Sequence, residues 1–276
     1  MAGSLAGKTL FISGASRGIG LAIAERAARD GANVCLVAKT DKPDPRLEGT
    51  IHTAAEAIEA AGGNALPIVG DIRDEESVTG AVAACVERFG GIDICINNAS
   101  AINLSGAVDL PMKRYDLMQD INTRGTFLVS RSCVPHLRES DNAHVLTLSP
   151  PLNLEPKWFK THVAYSIAKY GMSLCTLGMA EEFRGDQIAF NSLWPRTIIA
   201  TAAVQNLLGG DESMARSRKP EIMADAAHAI FTRPSADCTG NFFMDDEVMA
   251  EEGVTDLSVY GFEGASEDDL LPDLFV

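Results

Sequence analysis

The sequence lacks any apolar run long enough to cross a bilayer, and its first residues lack the basic start and apolar block of an export signal. These absences predict a soluble, cytoplasmic protein with no membrane partner. The chain also lacks a Cys-x-x-Cys spacing, and its six cysteines and five histidines are scattered. We therefore expect small buried thiols in a reducing compartment, with neither disulfides nor a metal site.

Basic residues are absent after Arg233, and this absence explains most of the formal net charge of −15. Twelve acidic residues follow Arg233, so the part of the chain before it is close to neutrality. The acidic excess argues against binding to nucleic acid or to an anionic membrane. We expect the acidic segment, from about residue 245, to be a solvated tail, with a partner-binding surface as the alternative.

The chain has enough apolar material for one large core, and its length suits a single α/β domain over residues 1–276. Short β-rich runs alternate with helical stretches, and the runs are almost continuously apolar, as in strands buried on both faces of a parallel sheet. The predicted strands are residues 9–13, 33–38, 65–69, 93–97, 144–149 and 189–193. The predicted helices are residues 19–29, 50–61, 75–89, 113–138 and 163–184.

Four of these helices end next to a glycine, at Gly31, Gly62, Gly90 and Gly185, and each is a candidate left-handed helix terminator. The alternation of strands and helices predicts an α/β fold built on a doubly wound parallel sheet, with helices on both faces.

A glycine-rich turn joins the first strand to the first helix. Gly14 allows a tight turn, Gly18 lets the backbone approach a pyrophosphate, and Gly20 permits close packing of helix on strand. The helix N-terminus offers unpaired N–H groups to phosphates. This context favours dinucleotide binding over a merely structural turn. The predicted contacts are Gly14, Ser16, Arg17, Gly18, Ile19 and Gly20.

The end of the second strand predicts which dinucleotide binds. An NAD site places Asp or Glu there to bond the ribose 2′-hydroxyl, but this strand ends in Ala38 followed by Lys39. Lys39 and Arg17 together suit a 2′-phosphate. We therefore predict NADP(H), with two solvated surface cations as the alternative.

Polar residues follow the third and fourth strands. Asp71 accepts from an adenine amine or caps the next helix, and Asp74 is the better placed N-cap, which favours the ligand role for Asp71. Asn97 and Asn98 end the fourth strand, where the cofactor is expected to cross the sheet. We predict that they brace neighbouring backbone in support of the site, with Asn98 among the cofactor-binding residues.

Tyr165 and Lys169 are four residues apart and share one face of a predicted helix. A phenol has an ordinary pKa near 10, and a nearby ammonium together with a positively charged nicotinamide favours the phenolate. Such a tyrosine transfers a proton to or from a substrate oxygen as hydride moves. The spacing alone is common by chance, but the dinucleotide motif upstream makes it a strong signal.

These motifs resemble the short-chain dehydrogenase/reductase family over nearly the whole chain. The shared marks are the Gly14–Gly20 pattern, Asp71, Asn97-Asn98-Ala99, Asn122 and the Tyr165–Lys169 pair. More narrowly, residues 38–40, 149–154 and 194–195 resemble the hydroxysteroid dehydrogenase-like subfamily. The resemblance implies a Rossmann sheet of about seven strands and a Ser–Tyr–Lys–Asn tetrad. It also implies a homo-oligomer, dimer or tetramer, paired through the helices at 113–138 and 163–184.

Three departures from the family pattern stand out. The usual serine position is Leu152 by spacing from Tyr165 and Pro150 by strand end, so Ser149 is the predicted substitute. The family's Pro-Gly after the sixth strand reads Pro195-Arg196, and Thr201 is a predicted carboxamide contact. Larger members of the subfamily carry a C-terminal sterol-carrier domain, for which this chain has no sequence.

The sequence thus predicts an NADP(H)-dependent oxidoreductase acting on a carbonyl or alcohol. Pro150, Leu152, Trp158, Phe159 and Trp194 hint at an apolar, lipid-like substrate. The alternative is an NADP(H)-binding redox sensor or scaffold with little turnover, which Pro150 at the serine position motivates. A protein that interacts through its acidic segment is a third possibility.

Overall fold

The computed structural model describes residues 3–44, 49–207 and 209–276, which form a seven-stranded parallel sheet in the order β3-β2-β1-β4-β5-β6-β7. The strands are β1 (Thr9–Ser13), β2 (Asn33–Ala38), β3 (Asn64–Val69), β4 (Ile94–Asn97), β5 (His144–Thr147), β6 (Ala189–Trp194) and β7 (Phe242–Met244). The order reverses between β1 and β4, which confirms the doubly wound, Rossmann-like prediction.

Ten α-helices flank or follow the strands in the described part of the chain. They are α1 (Gly18–Ala28), α2 (Ile51–Ala60), α3 (Glu75–Phe89), α4 (Met112–Met118), α5 (Gly125–Leu137), α6 (Val163–Glu182), α7 (Ala202–Leu207), α8 (Gly210–Met214), α9 (Glu221–Phe231) and α10 (Asp245–Glu251). The single helix predicted at 113–138 is interrupted by a π-helix, Gln119–Arg124, between α4 and α5.

The sheet separates two apolar cores, because successive side chains on each strand point to opposite faces. Leu10 and Ile12 of β1 pack with α1, α2, α9 and α10 on one face. Phe11, between them, packs with α3, α5 and α6 on the other. The second core also holds Cys35, Cys85, Cys95 and Cys133, all free thiols, in the small-core role predicted for them.

Helix ends follow the glycine prediction with one exception. Gly90 closes α3 in the left-handed conformation, with φ of 89°. Gly185 does not have a positive φ; after α6 it is Gln187 that adopts the left-handed conformation, with φ of 56°. The prediction for Gly185 was wrong because a short 3₁₀ turn, Arg184–Asp186, extends the chain before it reverses.

The acidic C-terminal segment is not a solvated tail. β7 and α10 complete the sheet and one core, and Phe275 near the end of the chain is fully buried. The last basic residues pair with its acids: Arg196 with Asp246 and Glu247, Arg233 with Glu251 and Glu252, and Arg218 with Glu267. Composition predicted solvation because it does not reveal these long-range pairs.

Within the described residues, no helix is both long and apolar enough to span a bilayer. The same ranges contain no group of three or more His, Cys, Asp or Glu residues arranged to hold a metal ion.

Candidate active site

The glycine-rich turn lies at the carboxyl end of β1 and opens onto α1. Gly14 and Gly18 have positive φ values of 72° and 58°, which only glycine adopts without strain. A Cβ on Gly14 would lie 2.7 Å from the Cα of Ala99, so the turn is also closely packed against the neighbouring strand end. Among the residues that the structure describes, no side chain caps α1, which leaves the N–H groups of its first turn available to an anionic ligand.

Asn98 locks this turn to β4. Its side-chain Nδ2 donates to the carbonyl oxygens of Ser13 and Gly14 at 3.1 and 2.8 Å. A Cβ on Gly20 would lie 2.5 Å from the same nitrogen, which is why α1 needs glycine there. Asn97 donates from its side chain to Ser130 in the core. Asn98 therefore braces the backbone as predicted, whereas Asn97 bonds the side-chain hydroxyls of Ser130 and Thr147 instead. A direct cofactor contact by Asn98 stays a prediction.

A small charged cluster lies beyond the end of β2. The Lys39 Nζ is 3.0 Å from a carboxylate oxygen of Asp71, and the Arg73 guanidinium pairs with the same carboxylate at 2.6 Å. Arg73, then Lys39, hold the pKa of Asp71 well below its usual range. Asp74 caps α3 by accepting from the Glu76 N–H, as predicted. Asp71 is nevertheless not left free for a ligand, because its carboxylate pairs with Arg73. The sequence analysis did not single out Arg73.

Arg17 precedes α1, and its guanidinium donates to the carbonyl oxygen of Gly49 at 2.8 Å. The cluster of Lys39, Asp71 and Arg73 carries two positive charges against one negative charge. This cluster therefore has a net positive charge in a chain that is acidic as a whole, whereas the charge of Arg17 is opposed by Asp44.

Tyr165 and Lys169 lie on one face of α6, and both are buried. The Lys169 ammonium donates to the carbonyl oxygen of Leu148 at 2.8 Å and lies 5.0 Å from the centre of the Trp194 ring. Among the described residues, none forms a hydrogen bond with the Tyr165 hydroxyl. The pair predicted from the spacing is thus assembled, with the phenol available to a ligand.

Burial dominates the electrostatics of this pair. It lowers the pKa of Lys169 to about 7, and it raises the pKa of Tyr165 above its usual value, with a further contribution from Asp273. The expectation that the ammonium lowers the pKa of Tyr165 is therefore not met in the protein alone. Tyr165 is a protonated phenol at neutral pH, which is the form that donates a proton.

Asn122 sits in the π-helix, fully buried. Its amide group makes two hydrogen bonds with the main chain of Ala101, at 2.7 and 2.9 Å. The next residue, Thr123, donates from its hydroxyl to the carbonyl oxygen of Ala168 on α6. The π-helix therefore ties the segment after β4 to the helix that carries Tyr165.

Ser149 does not face Tyr165. Its hydroxyl is fully buried and lies 2.9 Å from that of Ser192, which donates to Thr176. A tight turn, in which the Ser149 N–H donates to the carbonyl oxygen of Thr147, directs the side chain into the core. The structure therefore does not bring Ser149 together with Tyr165, and its role as the substitute serine stays a prediction. Pro150 follows it and has no donor.

One cavity of about 940 Å³ joins these parts. Its lining includes the following residues predicted for the site: Gly14, Ser16, Arg17, Gly18, Ile19, Lys39, Asp71, Asn98, Tyr165, Lys169 and Thr201. The remaining three, Gly20, Asn122 and Ser149, lie outside the lining. The cavity thus runs from the cations beyond β2, past the N-terminus of α1, to the Tyr165 phenol.

The C-terminal segment closes the Tyr165 end of this cavity, and the sequence analysis missed it. The Trp194 indole donates to the carbonyl oxygen of Leu274 at 2.8 Å. The Phe275 ring packs against the rings of Tyr165 and Tyr170. Asp273 and Leu274 line the same cavity as Tyr165 and Lys169. In the sequence, only the apolar character of residues 274–276 could have indicated that this segment packs against the site.

A family model described as short chain dehydrogenase matches residues 8–210. The chain belongs to the short chain dehydrogenase family. Proteins of this family are oxidoreductases that bind a nicotinamide cofactor, NAD or NADP. The uncapped N-terminus of α1 and the cavity beside it are consistent with such a cofactor in this short chain dehydrogenase.

The chain is similar to hydroxysteroid dehydrogenase-like protein 2 of Danio rerio, with 60% identity over 99% of this chain and 65% of the relative. It spans between 51% and 65% of the length of the curated relatives it matches first. A solved putative dehydrogenase from Xanthomonas campestris is 57% identical, with 99% of both chains covered and a TM-score of 0.94. A solved short chain dehydrogenase from Mycobacterium thermoresistibile is 63% identical, with 99% of this chain and 96% of the other covered and a TM-score of 0.93.

The tetrad that the family resemblance implies is thus only partly present in this short chain dehydrogenase. Tyr165 and Lys169 face the cavity, and Asn122 lies buried behind them. The serine is absent from the lining, because Ser149 is turned into the core. Neither Pro150 nor Leu152, the two positions at which the resemblance implies the serine, has a hydroxyl.

Proposed function

We propose that the protein is an NADP(H)-dependent oxidoreductase that interconverts a carbonyl compound and its alcohol. The observation that carries this proposal is the single cavity that joins the uncapped N-terminus of α1 to the Tyr165–Lys169 pair. A dinucleotide bound along it would have its phosphates at the helix and its nicotinamide near the phenol.

The position of each residue suggests its role in the proposed reaction. The first turn of α1 binds phosphate through its N–H groups. Lys169 holds the ribose, the role that the family resemblance implies for it. The bound nicotinamide supplies or accepts the hydride. Tyr165 donates its proton to the substrate oxygen, and its protonated state at neutral pH favours reduction of a carbonyl. Asn122 fixes the loop at Ala101 and thereby the shape of the site.

The lining near Tyr165 supports an apolar substrate. The apolar lining residues include Ile102, Leu117, Ile121, Trp194 and Leu274. Transfer of apolar surface from water into such a cavity is favourable in proportion to its area. A lipid-like carbonyl compound suits this surface better than a small polar one.

The reaction can be tested with a panel of carbonyl compounds of increasing apolar size, reduced with NADPH. On the best substrate, Tyr165→Phe is expected to lower kcat by about 100-fold or more, because it removes the proton donor. NADPH affinity should stay within about threefold, because the phenyl ring retains its packing. The measurement is NADPH oxidation, followed by absorbance.

Tyr170→Phe is the matched control. Tyr170 lies on the same helix, but its hydroxyl bonds the carbonyl oxygen of Asn153 and it does not line the cavity. This variant should keep wild-type turnover. A Tyr165→Phe protein that turns over as fast as the control would contradict the proton-transfer role.

The choice of NADP(H) rests on the charges beyond β2. Ala38 leaves no carboxylate at the strand end, and Lys39 lines the cavity with its side chain 59% exposed. An exposed ion pair is worth little, so Lys39 can exchange Asp71 for a 2′-phosphate at small cost. Arg73 then remains to neutralise Asp71.

Lys39→Ala is expected to weaken NADPH binding by about 10- to 100-fold, the equivalent of one charge-assisted hydrogen bond. NADH affinity should be unchanged, because NADH has no 2′-phosphate. Lys42→Ala removes a nearby exposed cation that does not line the cavity and serves as the control. Equal weakening of both cofactors by Lys39→Ala would overturn the assignment.

One observation favours a second candidate function, an NADP(H)-binding redox sensor or scaffold. Ser149, the predicted substitute for the family's serine, has its hydroxyl turned into the core, and Pro150, at the usual position by strand end, offers no donor. Tight NADPH binding without oxidation across the carbonyl panel would support this alternative. A cytoplasmic location also stays a prediction.

A further inference from the structure

The Tyr165 end of the cavity contains a carboxyl group that the proposed reaction does not yet use. Asp273 lines the same cavity as Tyr165 and Lys169, and its charge acts on both of them. No pattern in the sequence marks it, since it lies more than 100 residues after the catalytic helix.

Asp273 is held firmly in place. Its main-chain N–H donates to the carbonyl oxygen of Arg196 at 3.1 Å. On its other side, the Trp194 indole holds Leu274, and Phe275 is fully buried in the aromatic cluster beside Tyr165. The main chain at Asp273 is thus fixed on both sides, and a side chain on a fixed main chain loses less conformational freedom when it meets a ligand.

Of the two carboxyl oxygens of Asp273, one forms a hydrogen bond with the described part of the chain and the other does not. Its Oδ1 accepts from the Leu274 N–H at 2.6 Å. The Oδ2 has no hydrogen-bond partner among the residues that the structure describes. The side chain keeps some exposed area because it borders the cavity, but the surrounding protein excludes most water and raises the pKa of Asp273 to about 7.

The family's usual serine position supplies no hydrogen-bond donor to the site. A carbonyl oxygen that gains negative charge is stabilised by a second hydrogen-bond donor beside the proton donor. Ser149 and Pro150 do not supply one. A protonated carboxyl group is such a donor, because one oxygen can donate to a ligand while the other accepts from the protein. With its pKa raised to about 7 by burial, Asp273 is mostly protonated below neutral pH.

We propose that Asp273 is a catalytic residue that donates a hydrogen bond from its protonated carboxyl group to the substrate oxygen that Tyr165 protonates. The inference rests on the proposed function. Hydride passes from the cofactor to the carbonyl carbon, and the Tyr165 proton passes to the oxygen. Asp273 retains its own proton throughout, so the balance of the reaction is unchanged.

The titratable groups that face Asp273 are Lys169 and Tyr165 on α6 and Asp245 at the start of α10. Ionisation of Asp273 converts the donor into a negative charge beside the developing oxyanion. Activity should therefore fall as the pH rises through the range in which Asp273 loses its proton. Lys169 also titrates in this range, so the Asp273 effect must be isolated by substitution.

The test compares Asp273→Asn with Asp273→Ala on a carbonyl substrate of the wild-type enzyme. The amide of asparagine still donates, so Asp273→Asn should keep kcat within about tenfold and lose the part of the pH profile due to Asp273. Asp273→Ala should lower kcat by about 100- to 1,000-fold, as for loss of one oxyanion donor, with a smaller effect on KM. Asp268→Asn makes the same change at an exposed position of this segment and should leave the profile unchanged.

Two outcomes would overturn the inference: wild-type kcat in Asp273→Ala, or an equal loss in Asp273→Asn and Asp273→Ala. The equal loss would mean that a carboxylate, not a donor, is required. Thermal unfolding and NADPH binding of each variant separate these effects from misfolding.

A readout without cofactor or substrate keeps the inference separate from the proposed function. The infrared difference spectrum between wild type and Asp273→Asn should contain the carbonyl band of a protonated carboxylic acid at pH 6. A spectrum with no such band would overturn the inference whatever the activity. If the band is present but wild type reduces no carbonyl compound, it is the proposed function that fails.

Discussion

At the scale of single residues, spacing predicted neighbours but not environments. A spacing of four residues on one helix brings Tyr165 and Lys169 together, as expected. Their pKa directions follow from burial, which depends on Trp194 and the C-terminal segment, far away in sequence. Ser149 shows the same limit, because one tight turn after β5 decides whether its hydroxyl enters the cavity or the core.

Ser149→Ala is therefore expected to affect stability and not catalysis. It removes the hydrogen bond to Ser192 in the core and should lower the free energy of unfolding by about 1 kcal/mol. Both kcat and KM should stay within about twofold of wild type. Chemical denaturation and steady-state kinetics measure the two effects. A large loss of kcat with unchanged stability would instead restore Ser149 to the catalytic site.

At the scale of elements, the sequence predicted the strands and helices whose apolar residues recur with a strong periodicity. Six strands and the main helices on both faces of the sheet were found from apolar runs and glycine stops. β7 has only three residues, Phe242–Met244, and is recognised only by its pairing with β6. The π-helix was missed because one widened turn hardly changes the apolar pattern.

The acidic segment was predicted to be solvated because a carboxyl group is usually ionised and exposed to water. A buried carboxyl group behaves differently, since burial favours its protonated form. Asp245 starts α10 fully buried, and its Oδ1 accepts from the N–H groups of Arg196 and Asp246. Burial raises its pKa from 3.8 to about 6. The folded protein therefore binds a proton that the unfolded chain releases between these values.

The stabilisation from this proton is complete below about pH 4 and is lost as the pH rises through about 6. Asp245→Asn does not titrate, so its stability relative to wild type should increase by about 1 kcal/mol between pH 5 and pH 7. Urea unfolding of both proteins at the two pH values measures the difference. A constant difference would mean that Asp245 is ionised in the fold at pH 5.

At the scale of the whole molecule, one face remains apolar. Phe127 on α5 and Ile167, Leu174 and Leu177 on α6 are each about half exposed, although both helices are well packed on their inner sides. The resemblance to the family predicted pairing through these two helices. We propose that this face, the α5–α6 face, is covered by a second copy of the chain, as an isologous dimer interface.

Glutamate at the centre of the α5–α6 face should separate the copies, because an unpaired carboxylate is costly to bury in an apolar interface. The variant that carries both Ile167→Glu and Leu174→Glu is expected to have the mass of one chain in light scattering, where wild type has the mass of two or four. Val108→Glu makes the same change at a position that is 97% exposed and should keep the wild-type mass. If the double variant also keeps that mass, the copies pair through another surface. A wild-type protein that is monomeric at every concentration would contradict pairing altogether.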